Sequence, residues 1–281
     1  MSAWLVFSYR ISHYLSIDVA LGACAGMYFF ARLLDVHLAG AAYLILALSV
    51  WVIYTFDHLL DAQFSPGNLG SPRHLYHRDH FVILIILALL ATGVVLGLAW
   101  VFLPSTTIFL TGIFLAALIL VGMVLTQRFK EKLGPLKESI IAFLYVAGLL
   151  LLPLMQGFEE LTNWKWIYYA VAYLLLAWFN LVFLSLLDQQ SDQQAGQKSL
   201  VSTLGIEKTK QLLPWLGVGG IVYILGFFFL LPSAYHVFTL IVLIMFSWHV
   251  RYFLEGKEPS EKIRRKLEIA FFLPVVLLLL A

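Results

Sequence analysis

The chain has 281 residues, of which 62% are hydrophobic and only 12% are charged. An ordinary soluble domain carries about 25% charged residues, so this composition excludes a soluble globular protein and indicates an integral membrane protein. The net charge of +2 carries little information, because the positions of charges matter more than their sum in a membrane protein. The single cysteine, Cys24, excludes an intramolecular disulfide.

Apolar runs of roughly membrane-crossing length follow one another along the chain. This pattern predicts an all-α polytopic membrane protein that forms a single domain over residues 1–281, with nine transmembrane helices around a central cavity. The first run is interpreted as a retained span, because residues 23–25 resemble a signal-peptide cleavage site only weakly. The runs lie at residues 16–34, 37–60, 81–103, 106–126, 139–155, 166–187, 212–231, 235–250 and 263–281.

Positive charges are concentrated on one side of the predicted topology. With the N-terminus inside, sixteen of the eighteen Lys and Arg residues fall in inner segments. Only Arg32 and Lys165 fall outside, so the positive-inside rule predicts a cytoplasmic N-terminus and an outer C-terminus. We therefore expect a multi-pass protein of a bacterial inner membrane, with its central cavity open to the cytoplasmic face.

Two pairs of aspartates stand at predicted helix ends on the cytoplasmic side. Asp57 and Asp61 close the second run, and Asp188 and Asp192 follow the sixth, so each pair lies on one face of a helical turn. This location is locally unfavourable, since a helix C-terminus already carries partial negative charge. Oxygen-rich groups favour a hard cation, so all four are candidate catalytic residues and Mg²⁺ ligands. From spacing alone, solvated acids at a helix end are an equally good interpretation.

Basic residues on the same inner segments complete a candidate anion site. They are Arg73 after the first pair, Lys130 and Lys137 between the fourth and fifth runs, and Lys198 after the second pair. Guanidinium and ammonium groups bind phosphate oxygens well, so these side chains and the aspartates describe a diphosphate clamp above an apolar cavity. Gly196 is expected to permit the sharp turn that brings Lys198 over the site. The lysines have an alternative interpretation as contacts to anionic lipid.

The second acidic motif resembles that of the UbiA-type superfamily of intramembrane prenyltransferases. It reads Asp188-x-x-x-Asp192-x-x-x-Gly196-x-Lys198-Ser199-Leu200, followed by Leu204-Gly205. Asp57-x-x-x-Asp61, followed by Arg73, is similar to the latter part of the family's first motif. That motif usually reads Asn-Asp-x-x-Asp-x-x-x-Asp, whereas Ile53 and Tyr54 stand here in place of the Asn and the first Asp.

The resemblance implies an enzyme that ionises a prenyl diphosphate with the help of Mg²⁺. The allylic cation would form in the membrane-embedded cavity and be captured by a hydrophobic acceptor, such as a quinone precursor, another aromatic compound or a lipid. A terpene cyclase, in which a double bond of the same prenyl chain captures the cation, is the alternative. Tyr54, a candidate catalytic residue, and Tyr145 in the cavity can stabilise the cation with their rings. Asn180 is expected either in the cavity or in a helix-to-helix hydrogen bond.

The two Asp-bearing runs cross the membrane in the same direction, which is the pattern of a parallel pseudo-repeat of runs one to four and five to eight, followed by the ninth. Cation-coupled transporters commonly hold their acids near the bilayer midplane at inverted repeats. A transporter is therefore retained only as a third hypothesis. Membrane lipids are expected partners, and nucleic acid is not.

Overall fold

The computed structural model describes residues 12–64, 72–103, 105–157, 164–194, 196–256 and 259–280, with the side chains of all of these except residues 62–64, 72–74, 191 and 280. Every regular element in these ranges is a helix, so the all-α prediction is confirmed. The α-helices are α1 (Ile17–Leu33), α2 (Gly40–Phe64), α3 (Pro72–Asp79), α4 (Phe81–Phe102), α5 (Thr106–Arg128), α6 (Lys130–Leu133), α7 (Lys137–Gln156), α8 (Lys165–Leu187), α9 (Gln189–Gln194), α10 (Leu200–Leu204), α11 (Ile206–Leu230), α12 (His236–Glu255) and α13 (Ser260–Ala270). Short 3-10 helices lie at Gly134–Leu136, Ser233–Tyr235 and Leu273–Leu280.

Seven helical segments of the described chain are long and apolar enough to cross a membrane. They are α2, α4, α5, α6 with α7, α8, α11, and α12 with the turn before it. The first predicted span forms α1, whose 17 residues reach about 26 Å, slightly less than the roughly 30 Å of a hydrocarbon core. The last predicted span is divided into the charged helix α13 and the apolar 3-10 helix Leu273–Leu280. The chain is thus an integral membrane protein, and the count of nine spans stays a prediction.

Helix α8 is the centre of the largest core. Its residues Tyr169, Tyr173, Leu176 and Phe179 recur every three or four positions and are fully buried, which places them on one helical face. Helices α7, α11 and α12 pack around α8. The Tyr169 hydroxyl donates to the carbonyl oxygen of Tyr235 at 2.9 Å, and the Tyr173 hydroxyl donates to Met245 Sδ at 3.9 Å, so both polar groups of this aromatic face have partners. The rigid core fixes the position at which α8 ends.

Helices α4 and α5 form the exposed side of the bundle, although α4 itself packs closely against α2. Few of their residues are buried, and large apolar side chains such as Trp100 (69% exposed) and Phe114 (69% exposed) point away from the protein. Such surfaces suit lipid and not water. Because α5 does not pack tightly against α2 and α7, space remains between these helices for the cavity described below.

Helices α2 and α8 both finish at the same end of the bundle, which we term the acidic end because it holds Asp57, Asp61, Asp188 and Asp192. Helix α13 lies against α1, α8 and α12. Its Ile263 and Leu267 are buried, and its Arg264 reaches the acidic end. The chain that leaves α12 therefore returns to the site before the C-terminal 3-10 helix begins.

A buried histidine connects the residues before α1 to α13. His13 is 4% exposed and lies 2.7 Å from Asp18, 3.0 Å from Glu268 and 3.6 Å from Glu261, measured between ring nitrogens and carboxylate oxygens. Burial opposes the charged ring, but the attraction of these three carboxylates outweighs it and raises the pKa of His13 to about 10. The imidazolium thus holds two separate segments of the chain together.

Replacing His13 by Gln is expected to lower the melting temperature of the detergent-solubilised protein by several degrees at pH 7. Because the folded pKa of about 10 exceeds the ordinary value of 6.5, the contribution of the imidazolium is complete below pH 6.5 and is lost as pH rises through about 10. The difference in melting temperature between wild type and His13→Gln, followed over this range, should therefore shrink toward pH 10. A difference that stays constant with pH would show that the charge of His13 does not stabilise the fold.

Candidate active site

The first acidic pair lies on the last turns of α2. Asp57 lines the cavity, whereas Asp61 accepts a hydrogen bond from the Gln127 amide at 2.6 Å and another from the Gln197 amide at 3.1 Å. Ligand atoms of Asp57, His58 and Asp61 all lie within 4.8 Å of one another, close enough to share one cation. Asp61 is therefore held by two neutral donors from distant parts of the chain, and Asp57 faces the space where a ligand can enter.

The second acidic pair stands just past the end of α8. Asp188 is the C-terminal cap residue of α8, and the N–H of Asp192 still donates to the carbonyl oxygen of Asp188 at 2.9 Å, so the helical turn that aligns the pair is kept. The carboxylate of Asp188 accepts a hydrogen bond from the Arg264 guanidinium on α13. Burial, together with the negative charge of Asp188, raises the pKa of Asp192 to about 7, although Lys137 and Arg264 oppose this rise.

Lys137 brings the two pairs into one electrostatic unit. It is the first residue of α7, and its ammonium interacts with the carboxylates of Asp57, Asp61 and Asp192. Asp61 and Asp192 in turn lie close enough to repel each other. The structure thus brings together all four aspartates that the sequence singles out, with one lysine among them.

The other two predicted lysines bind the loops that cover the acidic end. The Lys130 ammonium donates to the carbonyl oxygen of Gly196 at 2.9 Å, and Lys198 lies 3.5 Å from Glu131. Gly196 has the left-handed backbone (φ 63°) that the expected sharp turn requires. In this structure both lysines therefore link neighbouring segments of the chain to each other. To bind diphosphate, their side chains would have to move over the site.

A close backbone contact and a buried glutamate also anchor these loops, and neither was expected from the sequence. A Cβ atom on Gly134 would lie 2.5 Å from Cβ and 3.0 Å from the carbonyl oxygen of Lys198. Glu138 is 5% exposed and accepts a hydrogen bond from the backbone N–H of Leu200 at 3.1 Å. The segment that follows the second acidic pair is thus seated on the start of α7, beside Lys137.

An elongated cavity of about 320 Å³ extends from the acidic end into the bundle between α2, α4, α5 and α7. Asp57, Lys137, Tyr54 and Tyr145 line it near the acidic end. The rest of the wall is almost wholly aliphatic, and it reaches a second core cluster whose members include Met27, Leu38, Ile108 and Leu152. The cavity therefore has charged groups at one end and an apolar wall along the rest of its length.

Asn180 and Arg73 are two predicted site residues that have not been found among the side chains of the cavity or the acidic end. Leu181, the neighbour of Asn180, forms part of the cavity wall. The Oδ1 of Asn180 is buried without a hydrogen-bond partner among the described residues, so both expectations for Asn180, a place in the cavity and a helix-to-helix hydrogen bond, stay predictions. Arg73 belongs to α3, but its side chain lies outside the described part of the structure.

One solved structure shares the architecture of this chain. It is described as the apo structure of a UbiA homolog from Aeropyrum pernix K1, and it matches with a TM-score of 0.66 over 94% of this chain and 98% of that chain. The chain has the UbiA-type fold. The sequence identity is 14%, so the likeness concerns the fold alone. No protein-family model and no curated protein sequence matches the chain.

The contact at Gly134 yields a test of how the loops are seated. Gly134→Ala should displace the segment around Lys198, because the added methyl group meets backbone atoms that cannot rotate away. We expect faster amide hydrogen exchange in peptides that contain Leu200, measured by mass spectrometry on the detergent-solubilised protein.

Gly97→Ala is the matched control, since nothing lies within 4 Å of a Cβ at that position. In a helix this change is favourable by about 1 kcal/mol. Exchange at Leu200 that is the same in both variants would contradict the proposed seating of the loop.

Proposed function

We propose that this protein is a Mg²⁺-dependent intramembrane prenyltransferase of the UbiA-type superfamily, which ionises a prenyl diphosphate and transfers the isoprenoid group to an aromatic or lipid-like acceptor. The observation that carries the proposal is the convergence of Asp57, Asp61 and Asp192 around Lys137 at the mouth of an apolar cavity. A prenyl diphosphate has the same two-part chemistry, with a highly charged head and a hydrocarbon tail. A transporter fits less well, because the acids lie at helix ends and not within a broken span.

The donor set at the acidic end fits Mg²⁺. Asp57 and Asp61 on α2, and Asp188 and Asp192 beyond α8, offer only carboxylate oxygens, which are the protein ligands that this ion prefers. Burial and the charge of Asp188 disfavour the ionised form of Asp192 and raise its pKa to about 7, a cost that a bound divalent cation would offset. When bound with a substrate, Mg²⁺ would supply Lewis-acid stabilisation of the departing diphosphate.

The side chains of the chain itself account for the rest of the chemistry. The bond between the allylic carbon and the diphosphate oxygen breaks, and the electron pair leaves with the diphosphate. Lys137, which interacts with three of the aspartates, would stabilise the charge that develops on this leaving group. The aliphatic wall of the cavity keeps water from the allylic cation. A nucleophilic carbon or oxygen of the acceptor then forms the new bond and releases a proton.

Tyr54 supports terpene cyclisation as a second candidate function. Its side chain lines the cavity one helical turn before Asp57, where the resembled motif usually has a carboxylate. An aromatic ring there favours a long-lived cation over an additional metal ligand, and a cation that persists can react with a double bond of its own chain. Tyr145 lines the same region and adds a second ring.

The two reactions are separated by product analysis. Purified protein would be incubated with Mg²⁺ and prenyl diphosphates of ten to twenty carbons, with and without membrane extract. Transfer predicts a prenylated product that forms only when extract is present. Diphosphate release with a cyclic hydrocarbon and no extract would identify a cyclase instead, and the absence of release from every substrate would exclude both reactions.

Asp57→Asn and Asp192→Asn should each lower the rate of diphosphate release by about a hundredfold or more, since each removes a charge on which metal and leaving group depend. Their melting temperatures should stay level or rise, because each change relieves repulsion among the carboxylates. Asp35→Asn is the matched control: Asp35 is exposed, and its left-handed backbone (φ 52°) suits Asn. Full activity in Asp57→Asn or Asp192→Asn would refute the assigned roles.

Tyr54→Phe and Tyr54→Leu test whether the ring or the hydroxyl of Tyr54 acts. If the ring faces the cation, Tyr54→Phe should keep most of the activity. Tyr54→Leu should lose about thirtyfold in the rate of diphosphate release, the equivalent of about 2 kcal/mol for a desolvated cation and ring. Equal losses in both variants would assign the effect to the hydroxyl.

A further inference from the structure

Arg264 reaches the second acidic pair from a helix outside the motifs. Its guanidinium donates a hydrogen bond to Asp188 Oδ2, and its side chain is only 16% exposed. Among the described residues, Asp188 is the single acceptor of a hydrogen bond from this guanidinium. An arginine carries several N–H donors in a planar fork, so most of its capacity to bind an anion is still available.

The balance of charge at the acidic end leaves a role for this arginine. The four aspartate carboxylates lie around two cations, Lys137 and Arg264, so the negative groups outnumber these positive groups. A diphosphate adds further negative charge, and bound metal compensates only part of it. A guanidinium that already lies at the site can bind diphosphate oxygens in a bidentate manner without the cost of bringing a new cation out of water.

We propose that Arg264 is a diphosphate-binding residue, which Asp188 holds in place until the substrate and its metal arrive. This inference rests on the proposed function and adds α13 to the walls of its site. With substrate and metal bound, the Asp188 carboxylate would be a ligand of the ion, and the guanidinium would donate to the oxygens of the diphosphate.

The surroundings of α13 explain why Arg264 is directed at Asp188. Glu261 and Glu268 lie three residues before and four residues after Arg264, on the same helical face, and both attract its charge. His13 engages these glutamates at 3.6 and 3.0 Å. The imidazolium attracts both of these carboxylates, and the hydrogen bond of Arg264 goes to Asp188 instead.

The test compares Arg264→Gln and Arg264→Lys with Lys262→Gln, a control that removes the same charge from an exposed position of the same helix. Two binding constants would be measured on detergent-solubilised protein without turnover. One is the affinity for Mn²⁺ alone, from electron paramagnetic resonance, and the other is the affinity for inorganic pyrophosphate at saturating Mg²⁺, from calorimetry.

We expect Arg264→Gln to weaken pyrophosphate binding by about ten- to a hundredfold, the usual effect of losing charge-assisted hydrogen bonds. Affinity for Mn²⁺ alone should stay level or increase, because a cation that competes for Asp188 is gone. Arg264→Lys should be intermediate, since it keeps the charge but not the fork. A merely structural role would weaken both ligands together and lower the melting temperature.

Two results would overturn the inference: pyrophosphate affinity in Arg264→Gln equal to that in Lys262→Gln, or a parallel loss of Mn²⁺ and pyrophosphate affinity. Failure of the proposed function is a separate outcome. It would appear as a wild-type protein that releases no diphosphate from any prenyl diphosphate, even though Arg264→Gln still loses affinity for pyrophosphate.

Discussion

The structure depends on how four carboxylates are kept together at one end of a membrane helix bundle. At 4 Å, two like charges repel by about 1 kcal/mol in water and by about four times as much at a protein-like dielectric. Lys137, from the start of α7, faces three of the acids, and Arg264, from α13, binds the fourth. Amide groups of Gln127 and Gln197 satisfy Asp61 further. Among the described side chains, these two cations do not neutralise the four aspartates, and the remaining negative charge suits the site to a metal ion.

The position of the charged groups relative to the cavity gives the site its chemical character. Asp57 and Lys137 belong both to the acidic end and to the cavity wall, so polar and apolar regions meet directly. A substrate with one charged and one hydrocarbon end would place its scissile bond at this boundary. Bond cleavage would then occur beside the cations, while the carbon fragment stays in the dry region. Tyr54 and Tyr145 line the region where that fragment would carry its charge.

Part of this arrangement could be predicted from local patterns in the sequence. The spacing of Asp188 and Asp192 predicted a shared helical face, and Gly196 predicted a sharp turn, because both depend only on backbone geometry over a few residues. The partners of the acids could not be predicted in this way. Gln127 lies 66 residues from Asp61, and Arg264 lies 76 residues from Asp188, so only the packed bundle brings them together. Glu138 was not predicted either, although a charge in the first turn of an apolar helix is a signal by which its anchoring role could have been found.

The C-terminal part of the chain also differs from the prediction because its arrangement depends on distant contacts. Hydropathy counts apolar residues but does not show where a helix breaks, and Leu273–Leu280 forms a 3-10 helix after the polar turns of α13. The charges of residues 260–268 predicted an inner segment, yet they did not show that this segment lies on the site. Its role became visible only through the contacts of Glu261, Arg264 and Glu268 with distant residues.

The most direct test of the central claim is a double-mutant cycle between Asp57→Asn and Asp192→Asn, measured as Mg²⁺-dependent affinity for inorganic pyrophosphate. If α2 and the segment after α8 form one metal and diphosphate site, each single change should weaken binding, and the double change should weaken it by clearly less than the sum of the two in free energy. Losses that add, or a loss in only one of the single variants, would contradict the account, because the two acidic pairs would then not act on the same ligand.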